Sequence, residues 1–205
     1  MRMRRLPPFC AGLCLAGFLL AAPVAAEARL LEFWGSGLVG AATGNGKTGR
    51  DFYRWAGGPA GGFEVGARLL FISAYLDYLR FFDGDANAHL VGLNLGGDGS
   101  IDLGHGLGVV MRLSGTFYLG SLDAQTHDFD GKLVDSQRVN TRGVGGRGGI
   151  GLRYSFWRVL SLGVTPQLGY HYFFGGADED PTETELNSAG WDFQALGYLR
   201  VAIGI

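Results

Sequence analysis

The residues best placed for acid–base chemistry are His171 and Asp192. If the chain between them folds back as a hairpin symmetric about residues 181 and 182, the two face each other, as a general base and its orienting acid must. A serine or threonine nucleophile would have to stand nearby, and the sequence singles none out. A histidine held by neighbouring polar groups is the plainer alternative. Between them lies the densest acidic cluster of the chain: Asp178, Glu179, Asp180, Glu183 and Glu185. Its oxygens suit a divalent cation, and a solvated acidic loop has the same composition.

Other motifs lack the context their chemistry requires. Gly143-Val144-Gly145-Gly146-Arg147-Gly148 has the spacing of a dinucleotide-binding turn but lies inside a run with strand periodicity and opens no helix. Gly44-Asn45-Gly46-Lys47-Thr48 ends like a phosphate-binding loop, yet Ala41 stands where the first glycine is needed. Around Asp128 and Asp130, the first and twelfth positions of a calcium loop would be Thr126 and Gln137 rather than acids. Asp83, Asp85 and Asn87 alternate suggestively, but Ala88 occupies the place of the turn glycine. No cofactor is expected.

The ends and the composition say what must position these groups. Arg2, Arg4 and Arg5, an apolar run from Phe9 to Leu20, and small residues at Val24 and Ala26 read as a secretory signal peptide over 1–26, cleaved between Ala26 and Glu27. The apolar run is shorter than the roughly 20 residues of a spanning helix. Both cysteines lie in that leader, so the mature chain has neither a disulfide nor a thiolate metal site. The leader holds three of the 17 basic residues and none of the 19 acidic ones, so the mature chain is clearly acidic, which argues against a nucleic-acid partner. Glycine is abundant, at 37 residues, but the 13% of aromatics argue against disorder.

The apolar residues instead alternate. From Leu107 to Leu119, one face carries Leu107, Val109, Met111, Leu113, Phe117 and Leu119, and the other Arg112, Ser114 and Thr116. Similar runs cover about 89–103, 144–156, 160–172 and 191–205, with three less regular ones at 31–43, 60–69 and 72–82. Each is at least as long as the roughly 9–11 residues of a membrane-crossing strand. A soluble barrel would also alternate, but here one face is largely glycine, serine and charge, too small or polar to fill a core. The connections alternate long (44–59, 83–88, 120–142, 175–189) and short (70–71, 104–106, 157–159). The pattern predicts an all-β, eight-stranded antiparallel up-and-down transmembrane barrel over 27–205. Short turns and both termini would face the periplasm and long loops the exterior, with Trp157 and Trp191 in the interfacial girdles.

With this pattern the chain resembles the small eight-stranded outer-membrane barrels of the OmpA, OmpX and OmpW type, over roughly 29–205. The most specific element is the last strand, Gly197-Tyr198-Leu199-Arg200-Val201-Ala202-Ile203-Gly204-Ile205. It is similar to the C-terminal signal read by the barrel-insertion machinery, although it ends in Ile205 where that family usually ends in Phe or Trp. The resemblance implies contact with outer-membrane lipid and lipopolysaccharide, at whose surface the acidic loop could bridge cations.

An eight-stranded barrel is only just wide enough inside for side chains to fill. The alternation turns Glu32, Glu64, Asp77, Asp98, Asp102 and Asp192 inward with Arg68, Arg112, Arg147, Arg153 and Arg200. Near-balance predicts a paired network plugging the lumen, since an unpaired charge there is expensive. The inward glycines leave space that the sequence does not locate. The functional expectation is a monomeric, non-enzymatic envelope protein acting through external loops, with Phe52, Tyr53, Trp55, His127 and Phe129 as contacts. A narrow channel for ions or apolar solutes is the alternative, and a lipid-modifying enzyme built on His171 the third.

Overall fold

The computed structural model describes residues 30–46, 57–82, 87–127, 133–174 and 188–205. They form eight strands: β1 (Leu31–Gly46), β2 (Gly58–Leu69), β3 (Ile72–Phe81), β4 (Asn87–Gly104), β5 (Leu107–His127), β6 (Leu133–Ser155), β7 (Leu160–Phe174) and β8 (Ser188–Gly204). Each pairs antiparallel with its chain neighbours, and β8 returns to β1, closing the barrel. Local chemistry sets the turns. At the β4–β5 turn, His105 and Gly106 both have positive φ, 56° and 82°, as the tight two-residue hairpin loop requires.

The register fixes the shape. A row of directly paired residues runs from Leu69 through Ile72, Gly97, Leu113, Gly148, Leu168 and Phe193 to Thr43. Leu69 itself pairs with Leu31, so one circuit climbs twelve residues along β1, from Leu31 to Thr43. Twelve residues rise roughly 40 Å along the strand, against roughly 38 Å across eight strands, which tilts the strands by about 45°. At that tilt the ten residues of β3 span about 23 Å of membrane normal, close to the height of a lipid-facing apolar band.

That band is present. Phe33, Val39, Leu95, Leu113, Ile150, Leu152, Leu168, Phe193 and Ile203 all point outward and are exposed, Ile150 by 65%. Trp157 and Trp191 are exposed near its two ends. A continuous apolar surface of this kind would aggregate in water, whereas around a closed barrel with a polar interior it is what lipid requires. The barrel therefore spans a membrane, and as a single-chain, even-stranded antiparallel barrel it belongs in the outer membrane.

One expected boundary is corrected. Residues 120–142 do not form a long loop: β5 continues to His127 and β6 begins at Leu133, paired as far as His127 opposite Leu133. This two-stranded arm runs about 13 Å along β5 past the last row shared with β4, and about 26 Å past the last row shared with β7. Alternation is imposed by lipid on one side and lumen on the other, and past the bilayer neither constraint acts. The glycine-rich run 143–148 lies within β6, and Gly44 to Gly46 end β1. The signal-peptide residues Ala26 and Glu27, the acidic cluster from Asp178 to Glu185, and Phe52, Tyr53, Trp55 and Phe129 lie outside the described residues.

Candidate functional site

Strand parity turns one face of every strand into the lumen, and the occupants of that face are layered. Nearest the periplasmic turns is a charged layer with Glu64 of β2 at its hub. Arg112 Nη1 and Nη2 donate to the two Glu64 carboxylate oxygens at 2.6 and 3.3 Å. Arg200 Nη2 donates to the same carboxylate at 3.0 Å and the Trp34 indole N–H at 2.6 Å. Arg112 also reaches Asp98, at 3.2 Å from Nε and 2.9 Å from Nη2. Arg68 bridges Asp98 and Glu32, at 3.8 and 3.1 Å. The guanidinium faces lie on aromatic rings: Arg112 over Tyr75 at 4.6 Å, and Arg200 near both Trp34 and Tyr198 at 5.0 Å. Every carboxylate here thus has cationic donors, the condition under which buried charge is tolerated.

Above this layer, Asp77 accepts from Arg147 Nη1 at 2.6 Å and from the Asn94 amide at 3.1 Å, while Asn94 in turn accepts from the Thr116 hydroxyl at 2.7 Å. Arg147 Nε donates to the Tyr118 hydroxyl at 2.9 Å. Higher again, the lumen turns apolar: Ala42, Ala60, Leu79, Phe81, Ala88, Leu90, Tyr118, Phe173 and Leu196 pack into one buried cluster. A cavity of about 20 Å³ lies between Glu64, Tyr75, Asp77, Arg112, Arg147 and Tyr198. That is room for about one water molecule.

Two sequence expectations change. Inward glycines were to leave free space, yet they are the recesses that the filling occupies. A β-carbon on Gly66 would sit 2.5 Å from both Trp34 and Tyr75, one on Gly145 2.9 Å from the Tyr118 ring, and one on Gly169 2.5 Å from the Asp192 carboxylate. Asp102 has inward parity but is exposed, because it stands two residues from the turn, past the end of the barrel. Its carboxylate accepts the Gly104 N–H at 2.7 Å and caps that turn. Arg153, half-buried near the same rim, donates to Ser100 at 3.3 Å. The inner charges are then Glu32, Glu64, Asp77, Asp98 and Asp192 against Arg68, Arg112, Arg147 and Arg200, with His171 beside Asp192. Replacing Asp102 by alanine is expected to change stability by less than about 1 kcal/mol, read from the urea midpoint of the refolded barrel.

His171 and Asp192 meet, though not directly opposite each other. Asp192 pairs with Gly169 and His171 with Gly190, a register two residues away from the symmetric one. Asp192 reaches diagonally to His171 Nδ1 at 3.1 Å, and Gln194 donates to its other oxygen at 3.2 Å. Ser188, two residues from Gly190 on the same inward face of β8, is a hydroxyl the sequence did not flag. His171, Asp192 and Ser188 are all fully buried, and the His171 ring packs against Phe173. Among the described residues no cluster of three or more metal-ligating side chains occurs.

The luminal aromatics were the main thing missed. Trp34, Tyr118, Phe173 and Tyr198 share parity with the inward charges of their own strands, so the signal was present. It was masked by the outward aromatics of the lipid belt.

No protein-family model and no curated protein matches the chain. Among solved structures it is similar to Neisserial surface protein A, at 14% identity over 83% of this chain and 96% of that one, with a TM-score of 0.46. A major outer membrane protein from Thermus thermophilus matches at 12% identity over 84% and 99%, with a TM-score of 0.47. The N-terminal β-barrel domain of Pseudomonas aeruginosa OprF matches at 13% identity over 83% and 98%, with a TM-score of 0.38. On its own closed ladder and apolar belt, this chain is a small eight-stranded outer-membrane β-barrel protein.

Proposed function

We propose that the chain is a non-conducting, non-enzymatic outer-membrane anchor whose work is done at its external end. The observation that carries this reading is the lumen: a charged layer and an apolar cluster lie in series, and the cavity among the charged side chains has room for about one water. A hydrated solute has no path through such a filling. Export by the 1–26 leader, insertion through the C-terminal strand and a monomeric state complete the reading. The external contacts would be Phe52, Tyr53, Trp55, His127 and Phe129, of which His127 ends β5.

The test is single-channel recording of the refolded mature protein in a planar bilayer, with folding confirmed by a gel-mobility difference between unboiled and boiled samples. Silence is expected. Discrete, reproducible steps altered by Arg112→Ala or Arg147→Ala would replace this reading with that of a narrow channel. One contact favours a second reading: His171 bonded to Asp192, with Ser188 on the same inward face of β8, is a hydrolytic constellation in composition. Its test is lipid mass spectrometry on expressing cells, where the anchor reading expects unaltered masses with both the native chain and His171→Ala.

A further inference from the structure

Every carboxylate of the charged layer meets a cationic donor, but one luminal cation meets no carboxylate. Arg68, Arg112, Arg147 and Arg200 each reach a carboxylate oxygen at 3.1 Å or less. Arg153, on the inward face of β6 at the periplasmic mouth, reaches none among the described residues. Its one hydrogen bond there runs from Nη2 to the Ser100 hydroxyl at 3.3 Å, and its Nε is buried without a partner. The acid on its own row is turned elsewhere. Asp102 and Arg153 share that row, with Gly108 between them, but the Asp102 carboxylate accepts the Gly104 N–H.

A second group at the mouth also lacks an acceptor. Arg153, Gly163 and Tyr198 form one paired row across β6, β7 and β8. The hydroxyl end of Tyr198 lies over Gly163, where a β-carbon would collide with it, so the phenol reaches across β7 toward Arg153. Tyr198 is only 6% exposed, yet its hydroxyl has no hydrogen-bond partner among the described residues. A buried donor left unmade is destabilising, and here it stands on the same row as the unmatched guanidinium. Ser100 accepts from Arg153, so its own proton remains free to donate. On the luminal side the site is closed by Arg200, which lies 5.0 Å from the Tyr198 ring and is bonded to Glu64.

We propose that the periplasmic mouth of the barrel binds a carboxylate at Arg153. The guanidinium supplies the charge and a planar set of donors, and the Tyr198 and Ser100 hydroxyls supply two more. One uncompensated cation calls for a monoanion, which selects a carboxylate over a doubly charged phosphomonoester. The carboxylate enters from the periplasm on a small organic acid or as the free end of a peptide chain, and the group recognised is the same in both. The site stands whether or not the lumen beyond it conducts.

The experiment titrates the refolded mature barrel in detergent micelles with sodium acetate, with sodium chloride at matched ionic strength as the reference. Nuclear magnetic resonance reads the Arg153 Nε–H and the Tyr198 ring carbon that bears the hydroxyl, each identified by its loss in the corresponding variant. Both signals are expected to move together and to saturate with a dissociation constant of about 1–10 mM. Arg153→Gln is expected to weaken the acetate response at Tyr198 by about tenfold or more. Tyr198→Phe is expected to weaken the response at Arg153 by about threefold to tenfold, and it carries the test if Arg153→Gln does not fold. Acetyl-dialanine with a free carboxylate, and the same peptide amidated, separate the two sources. Binding of the free peptide about tenfold tighter than acetate assigns a peptide end, and equal affinity assigns a small acid. An equal response to chloride or to the amide, or an unchanged affinity in either variant, overturns the site. Acetate binding about tenfold tighter in Asp102→Asn would mean that Asp102 itself occupies Arg153, and overturns it as well.

Discussion

Glu64→Gln lowers the stability of the refolded barrel by about 3–5 kcal/mol, because it leaves two buried guanidiniums facing a neutral amide. Glutamine keeps the volume of glutamate, so little of the effect comes from a cavity. What is lost is the acceptor for Arg112, Arg200 and the Trp34 indole together. The amide keeps one acceptor oxygen and turns an N–H group toward donors. The measurement is the urea unfolding midpoint in detergent micelles, with the gel-mobility shift as the check on folding. Adding Arg200→Met to Glu64→Gln should recover part of the loss, since a compact apolar neighbour is easier to bury than an unpaired cation. An unchanged midpoint for Glu64→Gln would mean that the charged layer is hydrated and contributes little.

Phe173→Ala is expected to cost about 3–5 kcal/mol by a different route. Phe173 is fully buried in the apolar layer, with its ring 5.6 Å from that of Tyr118 and 4.8 Å from that of His171. Gly143 forms the recess for it, as a β-carbon there would lie 2.6 Å from the ring, so no neighbouring side chain is poised to fill the void. The loss should appear in the same urea midpoint, while bilayer recordings of the variant stay silent, because the charged layer beneath is intact. A midpoint within about 0.5 kcal/mol of the native one would show that the outer layer is loosely packed.

The strand plan was legible because lipid writes it into the sequence: Leu107 to Leu119 must alternate when one face meets acyl chains and the other the lumen. The arm from Ala124 to His127 and back from Leu133 lies past the last row shared with β4, where lipid and lumen no longer impose that pattern. The inward set of charges followed from parity alone, but their partners did not. Glu64 and Arg112 lie on strands that are not neighbours and meet across the lumen, which requires the stagger of the closed sheet. Asp102 shows the opposite limit: parity turns it inward, and two residues of distance from the turn decide that it never enters. His171 and Asp192 were legible as a contact because a side chain that reaches a diagonal neighbour tolerates an error of two residues in register.

The separation in sequence of the groups that meet at Glu64 has a bearing on how the molecule is made. Arg112 and Asp98 are 14 residues apart and can find each other within one hairpin, whereas Arg200 lies 136 residues from Glu64 and 164 from Ser36. The long-range contacts of Arg200 straddle the seam where the last strand joins the first. Until that seam shuts, Arg200 has no anion and Glu64 is short of a cation, each held beside apolar lipid or half-formed wall. A chain halted before β8 would carry this imbalance permanently, with no partial structure to relieve it. The clasp that fills the finished barrel thus also ties its last strand to its first.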